Sequence, residues 1–193
     1  SNVTPTFTQV AAICSGSSFS LPNTSNNSIT GTWLPAINNT ATTTYTFTPT
    51  SGQNATTATM TITVNPLITP TFNQVAAICS GASLSNLPII SNNGINGTWS
   101  PALDNTITKT YTFTGVCVTT ATMTITVNPL ITPTFNPIEP ICYGEIVPIL
   151  PLVSNNGITG TWLPSTINNT ISGNYIFTPL IDQCAINPPN VSI

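Results

Sequence analysis

The stretch Thr-Lys-Thr-Tyr-Thr-Phe-Thr-Gly-Val-Cys-Val-Thr-Thr-Ala-Thr-Met-Thr-Ile-Thr-Val-Asn-Pro, residues 108–129, consists of two runs of strict alternation around one short polar turn. In the first run Tyr111 and Phe113 fall on one face and Thr110, Thr112 and Thr114 on the other. In the second, Met123, Ile125 and Val127 oppose Thr122, Thr124 and Thr126. A period of two predicts an antiparallel hairpin with one buried face. The β-branched threonines of the other face stiffen the strands and offer hydroxyls to water. The pattern recurs upstream at Tyr45, Phe47, Met60, Ile62 and Val64, and downstream at Tyr175 and Phe177.

Two further strings recur in step with the hairpin. Thr-Pro-Thr-Phe begins at Thr4, Thr69 and Thr132, and Gly-Thr-Trp at Gly31, Gly97 and Gly160, a spacing of 63 to 66 residues. A period this long with so much β signal predicts a small domain per repeat rather than a solenoid coil. The boundaries expected are 1–66, 67–131 and 132–193. Each repeat runs through an opening extended segment, a Leu-Pro, a turn, a Trp strand and the hairpin. The turn is Asn93-Gly94 in the second repeat and Asn156-Gly157 in the third, a pair suited to positive φ; the first has Asn27-Ser28 and is expected to be looser.

Trp33, Trp99 and Trp162, with Tyr45, Tyr111 and Tyr175, are the expected core anchors, a sugar-stacking platform on the tryptophans being the alternative. A proline follows each Trp closely (Pro35, Pro101, Pro164) and should end that strand. Short strands, a central Trp and a Tyr ahead of the second Cys predict an all-β chain of three tandem immunoglobulin-like sandwiches. The joints, Val-Asn-Pro-Leu-Ile-Thr-Pro at 64–70 and 127–133, contain no glycine or serine and are expected to be semi-rigid.

The five cysteines fall at repeating positions rather than as C-x-x-C pairs, which favours disulfides and an oxidising, extracellular setting. Matching positions predict one bridge per repeat, Cys79–Cys117 and Cys142–Cys184. Asn54 stands where the first repeat would carry the partner of Cys14, so Cys14 is expected to be unpaired or bonded to another chain. Closing a forty-residue loop stabilises by roughly 4 kcal/mol, so the first repeat is expected to melt lowest.

Only 3% of the 193 residues are charged, against about a quarter in ordinary soluble domains. One Lys, no Arg and no His leave nothing to neutralise phosphates, which argues against nucleic acid and anionic lipid as partners. The same shortage removes the usual general base and oxyanion clamp, so no enzyme is expected. No run of about eighteen apolar residues predicts a membrane helix. Lys109 has Thr43 and Gly173 as counterparts and is read as an exposed lysine, not an isopeptide donor. No cofactor is expected. Calcium is the one ion the residues suggest: if Cys142 and Cys184 were joined, Glu139, Glu145 and Asp182 would gather at one end of the third repeat. The Asn-x-Ser/Thr sequons arise from a composition rich in both residues. Ser1 to Phe7 lack the flanks and core of a signal peptide, as expected of a processed chain or an excerpt. After Cys184, Asn187-Pro-Pro-Asn replaces the threonine alternation, as expected of a fragment's end or a distinct terminal repeat.

The strings Thr-Pro-Thr-Phe-Asn-Gln-Val-Ala-Ala-Ile-Cys-Ser-Gly (69–81), Ser-Asn-Asn-Gly-Ile-Asn-Gly-Thr-Trp-Ser-Pro-Ala (91–102) and Ala-Thr-Met-Thr-Ile-Thr-Val-Asn-Pro (121–129) resemble the tandem repeats of giant Bacteroidota cell-surface adhesins of the SprB gliding-motility type. The resemblance covers all but the last nine residues. It implies type 9 secretion, an outer-membrane tether at the cell surface, and a stalk that grips surfaces or polysaccharide. The partners expected are neighbouring repeats, with surface polysaccharide or further copies of the filament beyond them. A carbohydrate-binding module array and a self-assembling extracellular filament subunit are the alternative functions.

Overall fold

The computed structural model describes residues 2–193, and all of its regular structure is β. The first repeat contributes β1 (Ile13–Cys14), β2 (Gly31–Leu34), β3 (Thr43–Pro49), β4 (Ala58–Ile62) and β5 (Val64–Asn65). The second contributes β6 (Ile78–Cys79), β7 (Gly97–Ser100), β8 (Lys109–Gly115), β9 (Ala121–Ile125) and β10 (Val127–Asn128). The third contributes β11 (Gly160–Leu163), β12 (Asn174–Pro179) and β13 (Val191–Ser192). Each repeat builds one three-stranded antiparallel sheet, in the orders β2-β3-β4, β7-β8-β9 and β11-β12-β13.

The alternation in the hairpin is realised residue by residue. Tyr45, Phe47, Tyr111, Phe113, Ile62 and Ile125 are sealed from solvent while the intervening threonines face out. Across the outer face Thr44 and Thr61 share a hydrogen bond of 2.7 Å, as do Thr110 and Thr124, so the exposed side of the sheet is tied by hydroxyl pairs. The Trp strands end at Leu34, Ser100 and Leu163, immediately before the prolines that cannot donate to the ladder.

Against the sheet lies the opening segment, whose Phe7 packs on Trp33 and Phe47 at ring distances of 4.7 and 4.8 Å. Phe72 and Phe135 repeat the arrangement with Trp99, Phe113, Trp162 and Phe177. Gly31, Gly97 and Gly160 are glycine because a Cβ there would meet the ring of Phe47, Phe113 or Phe177 and a backbone carbonyl of the same partner strand. The tyrosines are buried, and each holds the connection that leads into its strand. The Asn38 amide donates to Tyr45 Oη at 2.8 Å and the hydroxyl donates back to the Asn38 carbonyl. Asp104 with Tyr111 and Asn168 with Tyr175 repeat the contact.

The turn before the Trp strand places one residue, not two, at positive φ: Gly94 at +82°, Gly157 at +84° and Ser28 at +68°. Its polar bonds are the same in all three repeats, Ser25, Ser91 and Ser154 each accepting an amide bond of 2.9 Å. The first repeat's turn therefore keeps the geometry of the others and carries its difference as backbone strain at Ser28.

The opening segment ends in a second, parallel pairing. β1 pairs with β5, Cys14 opposite Asn65, and β6 pairs with β10, Cys79 opposite Asn128. Compactness does not follow the repeat boundaries at 66 and 131. The chain divides into two units, Ser1–Asn73 with Pro88–Ser100 and Thr112–Thr122, and Gln74–Leu87 with Pro101–Tyr111 and Met123–Ile193. Each unit encloses one joint, because at each joint the end of one repeat is bonded to the turn of the next.

Candidate functional site

The joints are where the unusual chemistry lies. In the first, the Ser15 amide donates to the Asn65 carbonyl at 2.8 Å, holding the exit of β5 beside Cys14. The chain runs through Pro66 and Leu67 to Ile68, which bridges Val118 in the turn of the second repeat. There the Ile68 amide donates to the Cys117 carbonyl and the Thr119 amide to the Ile68 carbonyl, both at 3.0 Å. The Asn-Pro-Leu-Ile link is thus flanked by Cys14 on one side and Cys117 on the other, and these two are bonded, their Cα atoms 5.1 Å apart. The second joint repeats the device: Ser80 on Asn128, Ile131 on Cys184, and a Cys79–Cys184 disulfide with a Cα separation of 5.0 Å.

This corrects the expected pairing. The bridges Cys79–Cys117 and Cys142–Cys184 do not form, Cys14 is bonded, and the free, exposed thiol is Cys142. The physical reason is the parallel pairing. Cys79 sits opposite Asn128, about eleven residues beyond Cys117 and on the order of 30 Å away in extended chain. A disulfide needs Cα atoms within about 7 Å. No repeat has an internal bridge, so the first repeat has no special deficit and the reason for expecting it to melt lowest disappears.

The calcium cluster falls with the same premise. Asp182 stays near Cys184, now bonded to Cys79, while Glu145 accepts the Cys142 amide at 3.3 Å. Among the described residues no three His, Cys, Asp or Glu side chains are placed to hold a metal ion. The Asp104 carboxyl is held below its ordinary value by the Thr106 hydroxyl and amide.

The aromatic anchors sit as follows. Tyr45, Tyr111 and Tyr175 are buried, Trp162 is buried, and Trp33 and Trp99 are half-buried. Each indole donates Nε1 to the carbonyl of Pro22, Pro88 or Pro151 and packs against two phenylalanines. No tryptophan is left as an open platform. Residues that the sequence reading passed over hold the turns. Asn27, Asn93 and Asn156 each donate to a carbonyl of their opening segment and accept an amide from it. Gln53 and Gln183 clamp the backbone of Thr30 and Thr159, exchanging an amide bond in each direction. Recurrence of Ser-Asn-Asn at 25, 91 and 154 was the available signal for the first set.

No family model matches the chain, and no curated protein matches it. No helix among the described residues is long and apolar enough to cross a membrane.

Proposed function

We propose that this chain is a non-enzymatic segment of the stalk of an extracellular bacterial adhesin, built of immunoglobulin-like repeats, whose task is to carry load. The reading rests on the staggered sulfur bonds. Cys14–Cys117 and Cys79–Cys184 overlap, so the shortest covalent path from Cys14 to Cys184 crosses both sulfurs and only the stretch between Cys79 and Cys117. That stretch is roughly forty residues and spans at most about 130 Å, against about 600 Å for the whole backbone between the outer cysteines. A stalk so joined cannot be drawn out beyond about 130 Å between its outer cysteines, however far its sheets open.

Disulfides also suit an oxidising, cell-surface location, and a surface with one lysine and four acids attracts little by long-range charge. The tyrosine of each middle strand, whose hydroxyl accepts the backbone amide seven residues upstream, supports the immunoglobulin-like reading. The resemblance to SprB-type repeats adds type 9 secretion, an outer-membrane tether and a role in gliding or surface attachment, with polysaccharide as the gripped material. Single-molecule pulling from the two ends tests the mechanical part. Oxidised protein should reach at most about 130 Å between the outer cysteines and reduced protein about 600 Å; full extension of oxidised protein would overturn it. Antibody against the chain should label intact source cells, and labelling only after lysis would overturn the location.

A further inference from the structure

Asparagine is followed by glycine at 93–94, 96–97 and 156–157 and nowhere else in the chain. Without a Cβ the glycine nitrogen is open to approach by the asparagine side chain, so the fate of the pair depends on how the fold holds both groups. Asn93 is exposed, yet both of its polar atoms are tied. Nδ2 donates to the Thr69 carbonyl at 2.9 Å, and Oδ1 accepts the Thr71 amide at 3.1 Å and the Ser91 hydroxyl at 2.7 Å. The Gly94 amide is engaged as well, donating to the Ser91 carbonyl at 2.9 Å. Asn156 repeats the arrangement on Thr132, Thr134 and Ser154, with the Gly157 amide on the Ser154 carbonyl at 3.0 Å. Asn27 is held in the same way but is followed by Ser28, whose side chain hinders approach to its nitrogen. Asn96 precedes the Trp strand, where its glycine donates to the Ile89 carbonyl at 2.9 Å; its counterparts are Thr30 and Thr159.

From this geometry we infer that Asn93 and Asn156 are deamidation sites that the closed turn guards and its opening exposes. Once the opening segment releases the side chain, the Gly94 nitrogen gives its proton to solvent and attacks Asn93 Cγ. The Cγ–Nδ2 bond breaks, Nδ2 takes up a proton and leaves as ammonia, and a succinimide ring closes. Water then adds to either ring carbonyl and breaks its bond to nitrogen, leaving aspartate or the isomer whose main chain runs through the side chain. One water enters, one ammonia leaves, and nothing is oxidised or reduced. Neither product keeps a donor for the Thr69 carbonyl, and a carboxylate oxygen faces it instead. Thr69 belongs to the joint and follows Ile68, which is docked on the turn at Cys117. A turn that has opened and reacted therefore closes less firmly on its joint, and the change is not undone on refolding. The first repeat, with Ser28, is spared. The inference stands on the turn geometry and holds or fails independently of the adhesin reading.

The test incubates the full chain at mildly alkaline pH, native and oxidised in one sample, reduced in urea in the other. Peptide mapping by mass spectrometry then follows the gain of one mass unit at each asparagine, with fragmentation to separate 93 from 96. Three ordinary hydrogen bonds on the side chain should make conversion at 93 and 156 about a hundredfold slower in the native sample. Asn96 in the urea sample is the reference for an unguarded pair. Equal rates at 93 in the two samples would overturn the guarding, and an unconverted 93 in urea where Asn96 has reacted would overturn the site. A second measurement takes Asn93→Asp in the full chain. It should melt below the parent at neutral pH and recover part of the difference at acid pH, where a protonated carboxyl again donates to Thr69. A melting temperature equal to the parent's at neutral pH would overturn the effect on the joint.

Discussion

The hairpin turns at Asn54 and Cys117 share one backbone and differ in what holds them. Both residues are left-handed, at φ +46° and +52°, and both offer a carbonyl to an incoming strand, Asn54 to the Val3 amide and Cys117 to Ile68. Asparagine adopts that conformation with little strain; cysteine does so less readily. The preceding residue is Gln53 in the first turn, clamped on Thr30, and Val116 in the second, where it is 85% exposed and clamps nothing. Docking of the incoming strand is therefore a property of the turn itself, and the sulfur is an addition that ties the turn covalently to the preceding repeat. The third turn has both, Gln183 on Thr159 and Cys184 on Cys79.

The strongest way to break this comparison is to remove the sulfur. Replacing Cys14 and Cys117 together by Ser should cost about 4–5 kcal/mol for a loop of 103 residues in the chain-entropy model. Denaturant unfolding should show the loss, and a change under 1 kcal/mol would mean the turn hydrogen bonds already suffice. Gly31→Ala and Gly97→Ala probe the part both repeats share. Each pushes a methyl into a phenylalanine ring and a carbonyl, so each should cost about 1–3 kcal/mol, with the two values close together. Unequal losses would show that the two Trp strands are packed differently.

Val116→Gln should give the second turn the first turn's clamp and stabilise by about 1 kcal/mol in thermal melts. Ser28→Gly should relieve the left-handed serine. Its gain is about 1 kcal/mol, the strain less the entropy that glycine adds to the unfolded chain. The smallest effect belongs to Asp104, whose place is taken by Asn38 and Asn168 in the other repeats, each bonded to its own threonine in the same way. Its lowered titration means that its contribution is present above the ordinary carboxyl value of 3.8 and is lost as pH falls through the lower folded value. Asp104→Asn should leave neutral stability nearly unchanged and remove that part of the acid sensitivity, measured by melting at neutral and acid pH.

The sheets were legible because their signal is local. Tyr111 and Phe113 alternate with threonine, Gly97 precedes Trp99 by two residues, and Pro101 stops the strand, all within a few positions. The sulfur pattern was not legible, because it depends on β6 lying parallel to β10, some fifty residues away, and parallel pairing leaves no turn signature between its strands. Cysteine counting does not help: pairing within repeats leaves Cys14 over, pairing across joints leaves Cys142, and five is odd either way. The compact units were hidden for the same reason. The linkers look like boundaries because they are short and proline-bearing, yet Ile68 and Ile131 are held by the turns they run into.

The overlap of the two cystines has one more consequence. Every peptide bond from Cys14 to Cys184 lies inside at least one sulfur-closed ring, and those from Cys79 to Cys117 lie inside both. A protease that nicks any exposed loop in that span leaves two fragments still fastened to each other, so severing the molecule there takes at least two cuts or a reductant as well.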